Sequence, residues 1–248
     1  MKKFLCLIAA LIVLQTAVCA AQPDILLYHN ISESYHKSQA DMNISAGDFE
    51  KHIVSLIENG YNIISFDTYI DHMNGLCDLP EKSLIITFDD GYLSNYTEAF
   101  PILRKYGVYG TVFVVTSRVG SFDTQYPHFT WKQAKEMVDG GVMSIYSHTV
   151  SHPNMLELTA DEIAYEIRKS KYIIEKNLGT NCNILAAPHG LFSKEATTII
   201  ANGGYDALCR VGDICIDENT DSIVSLKRYT VHGDMSAEDV ISMITQGG

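Results

Sequence analysis

The chain has 248 residues, 46% hydrophobic and 19% charged, a composition that excludes a disordered tail, a collagen-like repeat and a coiled coil. Lys+Arg 18 against Asp+Glu 30 gives a formal charge of −12. That acidic balance makes a nucleic-acid partner unexpected, and the acids are scattered as on a solvated surface.

Residues 1–20 stand apart from the rest. Lys2 and Lys3 precede an almost unbroken apolar stretch, Phe4 to Leu14, and Val18-Cys19-Ala20 offers small residues for cleavage. This reads as a signal peptide, too short for a comfortable span of about 20 residues. An uncleaved N-terminal anchor is the alternative. The expectation is an exported chain, 21–248, secreted, periplasmic or at the cell surface, with no stable membrane insertion after cleavage. Without Lys2 and Lys3 its charge is −14, from 16 bases and 30 acids. Cys77, Cys182, Cys209 and Cys215 remain, an even count with no Cys-x-x-Cys pair. Bridging and plain buried thiols are both open, and no function is assigned to them.

From Asp24 onward, short apolar runs alternate with amphipathic stretches. Ile25–Tyr28, Asn62–Phe66, Ser83–Phe88 and Thr111–Thr116 read as buried strands, rich in β-branched and aromatic residues. Val142–Tyr146, Ile184–Ala187, Ala207–Val211 and Ile223–Val231 continue the series. Helix starts are marked by Ser45-x-x-Asp48, Thr130-x-x-Gln133 and Thr159-x-x-Glu162. Gly140-Gly141, Gly179 and Gly203-Gly204 are the matching stops. Strand–helix alternation over this length predicts one α/β domain, a distorted (β/α) barrel of about seven strands.

In such a barrel, chemistry gathers where strands end. Four apolar runs end in Tyr28-His29-Asn30, Asp89-Asp90-Gly91, Ser147-His148-Thr149 and Pro188-His189-Gly190. Two adjacent carboxylates repel, and near a core they need a cation. Asp-Asp-Gly alone is as readily a turn, and His148-x-x-x-His152 alone is a weak ligand signal. Together they form a stronger one: two imidazoles and a carboxylate for a hydrolytic metal, with a second carboxylate free to take a proton.

Thr87-Phe-Asp-Asp-Gly91 and Ser147-His-Thr-Val-Ser-His152 resemble the first two signature motifs of the polysaccharide deacetylases, the NodB-homology carbohydrate esterases. Ala187-Pro-His-Gly190 resembles the third. The resemblance implies a distorted barrel that removes N-acetyl groups with a divalent metal, usually Zn2+, with Co2+, Ni2+ or Mn2+ as alternatives. It implies Asp89 as base, Asp90, His148 and His152 as metal ligands, and the His189 backbone N–H after Pro188 as oxyanion donor.

Two departures from the family pattern stand out. Ala186 occupies the position where an Arg usually holds the base, and the C-terminal segment reads Leu226-Lys-Arg-Tyr-Thr-Val-His232 without the usual Leu-x-His. The opening Leu27-Tyr-His-Asn-Ile31 resembles instead the biofilm poly-N-acetylglucosamine N-deacetylases, in which an early Tyr-His supplies the acid. His29 is therefore the favoured acid and His232 the runner-up, each also readable as a partly buried structural histidine. His36, His52, His72 and His128 read as loop or polar-face residues. The expected partner is an acetylated polysaccharide. Peptidoglycan, chitin oligomers or acetylated xylan are alternative substrates, and a sugar-binding pseudoenzyme is the alternative of another class. The sequence does not specify the oligomeric state.

Overall fold

The computed structural model describes residues 22–33, 42–122, 125–212 and 223–246; the signal-like segment, His36 and Cys215 lie outside them. Seven parallel strands close into a barrel: β1 (Asp24–Tyr28), β5 (Ser83–Phe88), β6 (Gly110–Val114), β7 (Met143–Ser147), β8 (Ile184–Ala186), β9 (Ala207–Val211) and β10 (Val224–Thr230). The expected fold is the observed one. Closure runs through β1, which pairs β5 on one side and β10 on the other. Its residues Ile25 to Tyr28 are at most 1% exposed, as a strand covered on both faces requires. The ring is thinnest where β7 meets the three-residue β8, at the single pair Ser147–Leu185.

Outside the ring, β2 (Asn30–Ile31) and β3 (Asn43–Ile44) form a separate two-stranded sheet. The run Asn62–Phe66 is the one element whose reading fails. Only β4 (Asn62–Ile63) is strand, because the Ser65 side chain caps the helix α2 (Phe66–Met73) by accepting the Thr68 N–H. Phe66 then packs edge-on against Phe113 and Tyr146, at 5.9 and 6.3 Å between ring centres.

The other helices begin where their caps stand. Ser45 caps α1 (Ala46–Glu58), and α3 is Phe100–Tyr106. Full capping boxes open α4 (Trp131–Asp139) at Thr130/Gln133 and α5 (Ala160–Leu178) at Thr159/Glu162, and Gly179 ends α5 in the left-handed conformation. α6 (Lys194–Asn202) and α7 (Ala237–Gln246) complete the set. No helix among the described residues is long and apolar enough to cross a membrane.

Candidate active site

Five strands deliver their C-terminal ends to one mouth. β5 brings Asp89 and Asp90, 3% and 5% exposed, and the Asp89 N–H is tied to the Tyr28 carbonyl of β1 at 3.0 Å. β7 brings His148 and, in the loop after it, His152. His148 Nε2 lies 3.7 Å from Asp89 Oδ2, and His152 Nε2 lies 3.6 Å from Asp90 Oδ1. β8 brings Pro188 and His189, whose ring stands 4.6 Å edge-on from that of His152. The expected motif residues are thus brought together.

Backbone strain gathers at the same place. Among the described non-glycine residues, left-handed φ angles occur at Lys82, Asp90, Thr149, His152 and His189. Four of these five lie in the three motif loops, each costing roughly 1–3 kcal/mol that the surrounding structure must offset. Gly190 explains part of the offset. A side chain there would place a Cβ 2.7 Å from the Val211 backbone nitrogen, so the third-motif turn lies directly on β9. The turn is held by Gly190 N–H to Ala187 O and Leu191 N–H to Pro188 O, leaving the intervening His189 N–H outside those bonds.

Arg228 of β10 is the residue that sequence reading missed. It is fully buried, donates from both terminal nitrogens to the two oxygens of Asp89 at 2.7 Å each, and lies over the Phe113 ring at 5.3 Å. Burial alone would raise the Asp89 pKa. The charge of Arg228, followed by that of His148, instead holds it down at about 2. The cation expected at position 186 is supplied from the last strand. A signal existed, since an arginine within an apolar buried strand needs a partner.

The neighbouring Asp90 is held differently. Tyr92 donates its hydroxyl to Oδ2 at 2.9 Å, and Arg118 approaches Oδ1 at 3.3 Å. His148 Nδ1 lies 2.8 Å from the Ala186 carbonyl. A carbonyl only accepts, so Nδ1 carries a proton and Nε2 is the nitrogen turned toward the carboxylates. Burial, then the neighbouring His148, pushes the His152 pKa down. Its contact with Asp90 is therefore that of a neutral imidazole beside a carboxylate rather than an ion pair. Asp90, His148 and His152 offer ligand atoms all within 4.8 Å of one another. Two imidazoles and one carboxylate suit a divalent metal such as zinc.

The two candidate acids share a rim. Leu27 pairs with Thr230, and His29 and His232 follow the C-terminal ends of these two paired strands. Burial pushes the His29 pKa down while Asp89 and Asp90 pull it up, and its Nδ1 is buried with no hydrogen-bond partner among the described residues. Two histidines read as polar-face residues are buried instead. His52 is 1% exposed, between the Tyr28 hydroxyl and the Met235 carbonyl, and His128 is 5% exposed, packed on Tyr92. His52 lies on the apolar face of α1 with Phe49, Ile53 and Leu56, a spacing visible in the sequence.

The polysaccharide deacetylase family model matches residues 77–208, more than half of the chain. The chain belongs to the polysaccharide deacetylase family. It is similar to the Bacillus subtilis protein YxkH, 32% identical over 185 residues, covering 75% of this chain and 63% of that one. A poly-beta-1,6-N-acetyl-D-glucosamine N-deacetylase of Staphylococcus epidermidis is 29% identical over 134 residues, 50% of this chain and 46% of that one. The chain thus spans less than two thirds of the length of these relatives. Among solved structures, a Streptococcus pyogenes deacetylase, PplD, in complex with acetate superposes with a TM-score of 0.78. It is 26% identical, covering 90% of this chain and 98% of that one.

Proposed function

We propose that residues 21–248 form an exported, metal-dependent hydrolase that removes N-acetyl groups from an extracellular N-acetylhexosamine polysaccharide. The observation that supports it best is the cluster Asp90, His148 and His152 beside an Asp89 whose two oxygens are held by Arg228. Asp90, His148 and His152 would hold the divalent cation, Zn2+ by donor chemistry. Bound there, such a cation supplies Lewis acidity toward the acetyl carbonyl and makes water more acidic.

The chain's own groups do the rest. Asp89 takes a proton from water as its oxygen bonds to the carbonyl carbon. The His189 N–H donates to the oxygen that becomes negative. His29, with His232 as second candidate, gives a proton to the nitrogen as the carbon–nitrogen bond breaks, releasing acetate and a free amine. The relationship to the staphylococcal enzyme favours a β-1,6-linked glucosamine polymer over peptidoglycan, chitin or xylan. The test is metal content together with acetate release from a panel of those glycans. One divalent ion per chain and release from the glucosamine polymer are expected. Glycan binding without any acetate would contradict the proposal and favour a sugar-binding protein.

A further inference from the structure

Arg118 touches the candidate metal cluster yet has no part in the chemistry proposed above. Its Nη1 lies 3.3 Å from Asp90 Oδ1. That oxygen is also the one facing His152 Nε2, at 3.6 Å, whereas Oδ2 accepts the Tyr92 hydroxyl. Oδ1 is therefore the Asp90 atom best placed for a metal, and a guanidinium already leans on it. The Asp90 side chain is 6% exposed and that of Arg118 39%, so the pair joins a buried carboxylate to a cation that reaches in from the rim.

The backbone fixes where that cation starts. The Thr116 and Ser117 N–H groups donate to the Thr149 and Val150 carbonyls at 3.2 and 3.0 Å, and the Arg118 N–H donates to the Val115 carbonyl at 2.9 Å. The loop after β6 is thus stitched to the loop that carries His148 and His152, which keeps the Arg118 backbone beside the cluster. Its side chain is long and partly in water, so the head group has somewhere to go when it leaves Asp90. A guanidinium keeps its charge at physiological pH and has donors but no acceptor. It therefore offers a metal no ligand atom and repels it.

We propose that Arg118 is a built-in competitor for the metal. It neutralises Asp90 in the metal-free chain and yields Oδ1 to a divalent cation, which sets the metal affinity below what Asp90, His148 and His152 alone would give. This rests on reading that cluster as a metal site and adds a control on how tightly the site loads. The opposite role, a donor that orients Asp90 and so strengthens metal binding, carries the opposite sign.

The test is zinc affinity by chelator competition on the whole chain, with melting temperatures of the metal-free and zinc-loaded forms, in Arg118→Gln, Arg118→Ala and Arg118→Lys. Removing the charge should tighten zinc binding about tenfold in both the Gln and the Ala variant, a modest share of the repulsion between two cations near a protein surface. Arg118→Lys keeps the charge and should stay close to the wild type. Metal-free Arg118→Gln should melt below the metal-free wild type, because Asp90 has lost its neutralising partner, and should gain more when zinc is added. Equal or weaker zinc binding in both uncharged variants would overturn the competitor and leave the metal site standing. Absence of zinc uptake by the wild type and by every variant would instead sink the metal reading, and the competitor with it.

Discussion

Asp89 and Arg228 show how one contact organises the candidate site. A carboxylate this deeply buried is tolerable because a guanidinium meets both its oxygens. Replacing Arg228 by Met would leave the charge alone in the barrel. Loss of about 3–5 kcal/mol is expected, measured by denaturant unfolding of Arg228→Met beside the wild type; a change under about 1 kcal/mol would show that the pair is not what tolerates the charge. Tyr92 acts on the other carboxylate by fixing Oδ2 of Asp90. Tyr92→Phe should weaken metal binding about 10–100-fold, the scale for groups that orient a ligand, as read by chelator competition; equal affinity would remove Tyr92 from the metal site. The two carboxylates and two histidines were legible because each follows an apolar run. Arg228 was not, because its partner lies 139 residues away and the position where family pattern expects the cation holds Ala186.

Whole elements fix the loops that carry these residues, and α5 does most for the two histidines. Its Glu166, 8% exposed, accepts the Val150 and Ser151 N–H groups at 2.8 and 2.9 Å and the Ser151 hydroxyl at 2.8 Å. That grip holds the turn between His148 and His152 in its strained form. Glu166→Ala would strand those donors at about 1–3 kcal/mol for each one left buried. A lower melting temperature together with weaker metal binding is expected; a lower melting temperature with intact metal affinity would make Glu166 structural only. Helix positions were readable from Ser45, Thr130, Thr159 and Gly179, because caps are local chemistry. The strand reading of Asn62–Phe66 failed for the same reason in reverse. An apolar run of five cannot show that Ser65 caps a helix inside it, or that Phe66 packs on Phe113 and Tyr146.

At the scale of the molecule, ring closure turns sequence distance into contact. β1 between β5 and β10 sets His29, Asp89, Arg228 and His232 around one rim. Outside the ring, Asn30, Asn43 and Asn95 are buried too, at 7%, 2% and 0% exposure, so their Asn-x-Ser/Thr sequences are folded into the structure rather than offered as glycan acceptors. A ligand that binds only the folded ring stabilises it by about 2.7 kcal/mol at one hundred times its Kd. Chelation should therefore lower the melting temperature by several degrees, and added zinc should restore it; an unchanged transition would argue against a metal in the folded chain. The measurement that bears most directly on the proposed division of labour is acetate release from N-acetylglucosamine polymer by Asp89→Asn with its metal content assayed in parallel. If Asp89 is the base and Asp90, His148 and His152 are the ligands, this variant keeps its metal and loses deacetylation. Turnover near the wild-type rate, or loss of the metal itself, would contradict that assignment.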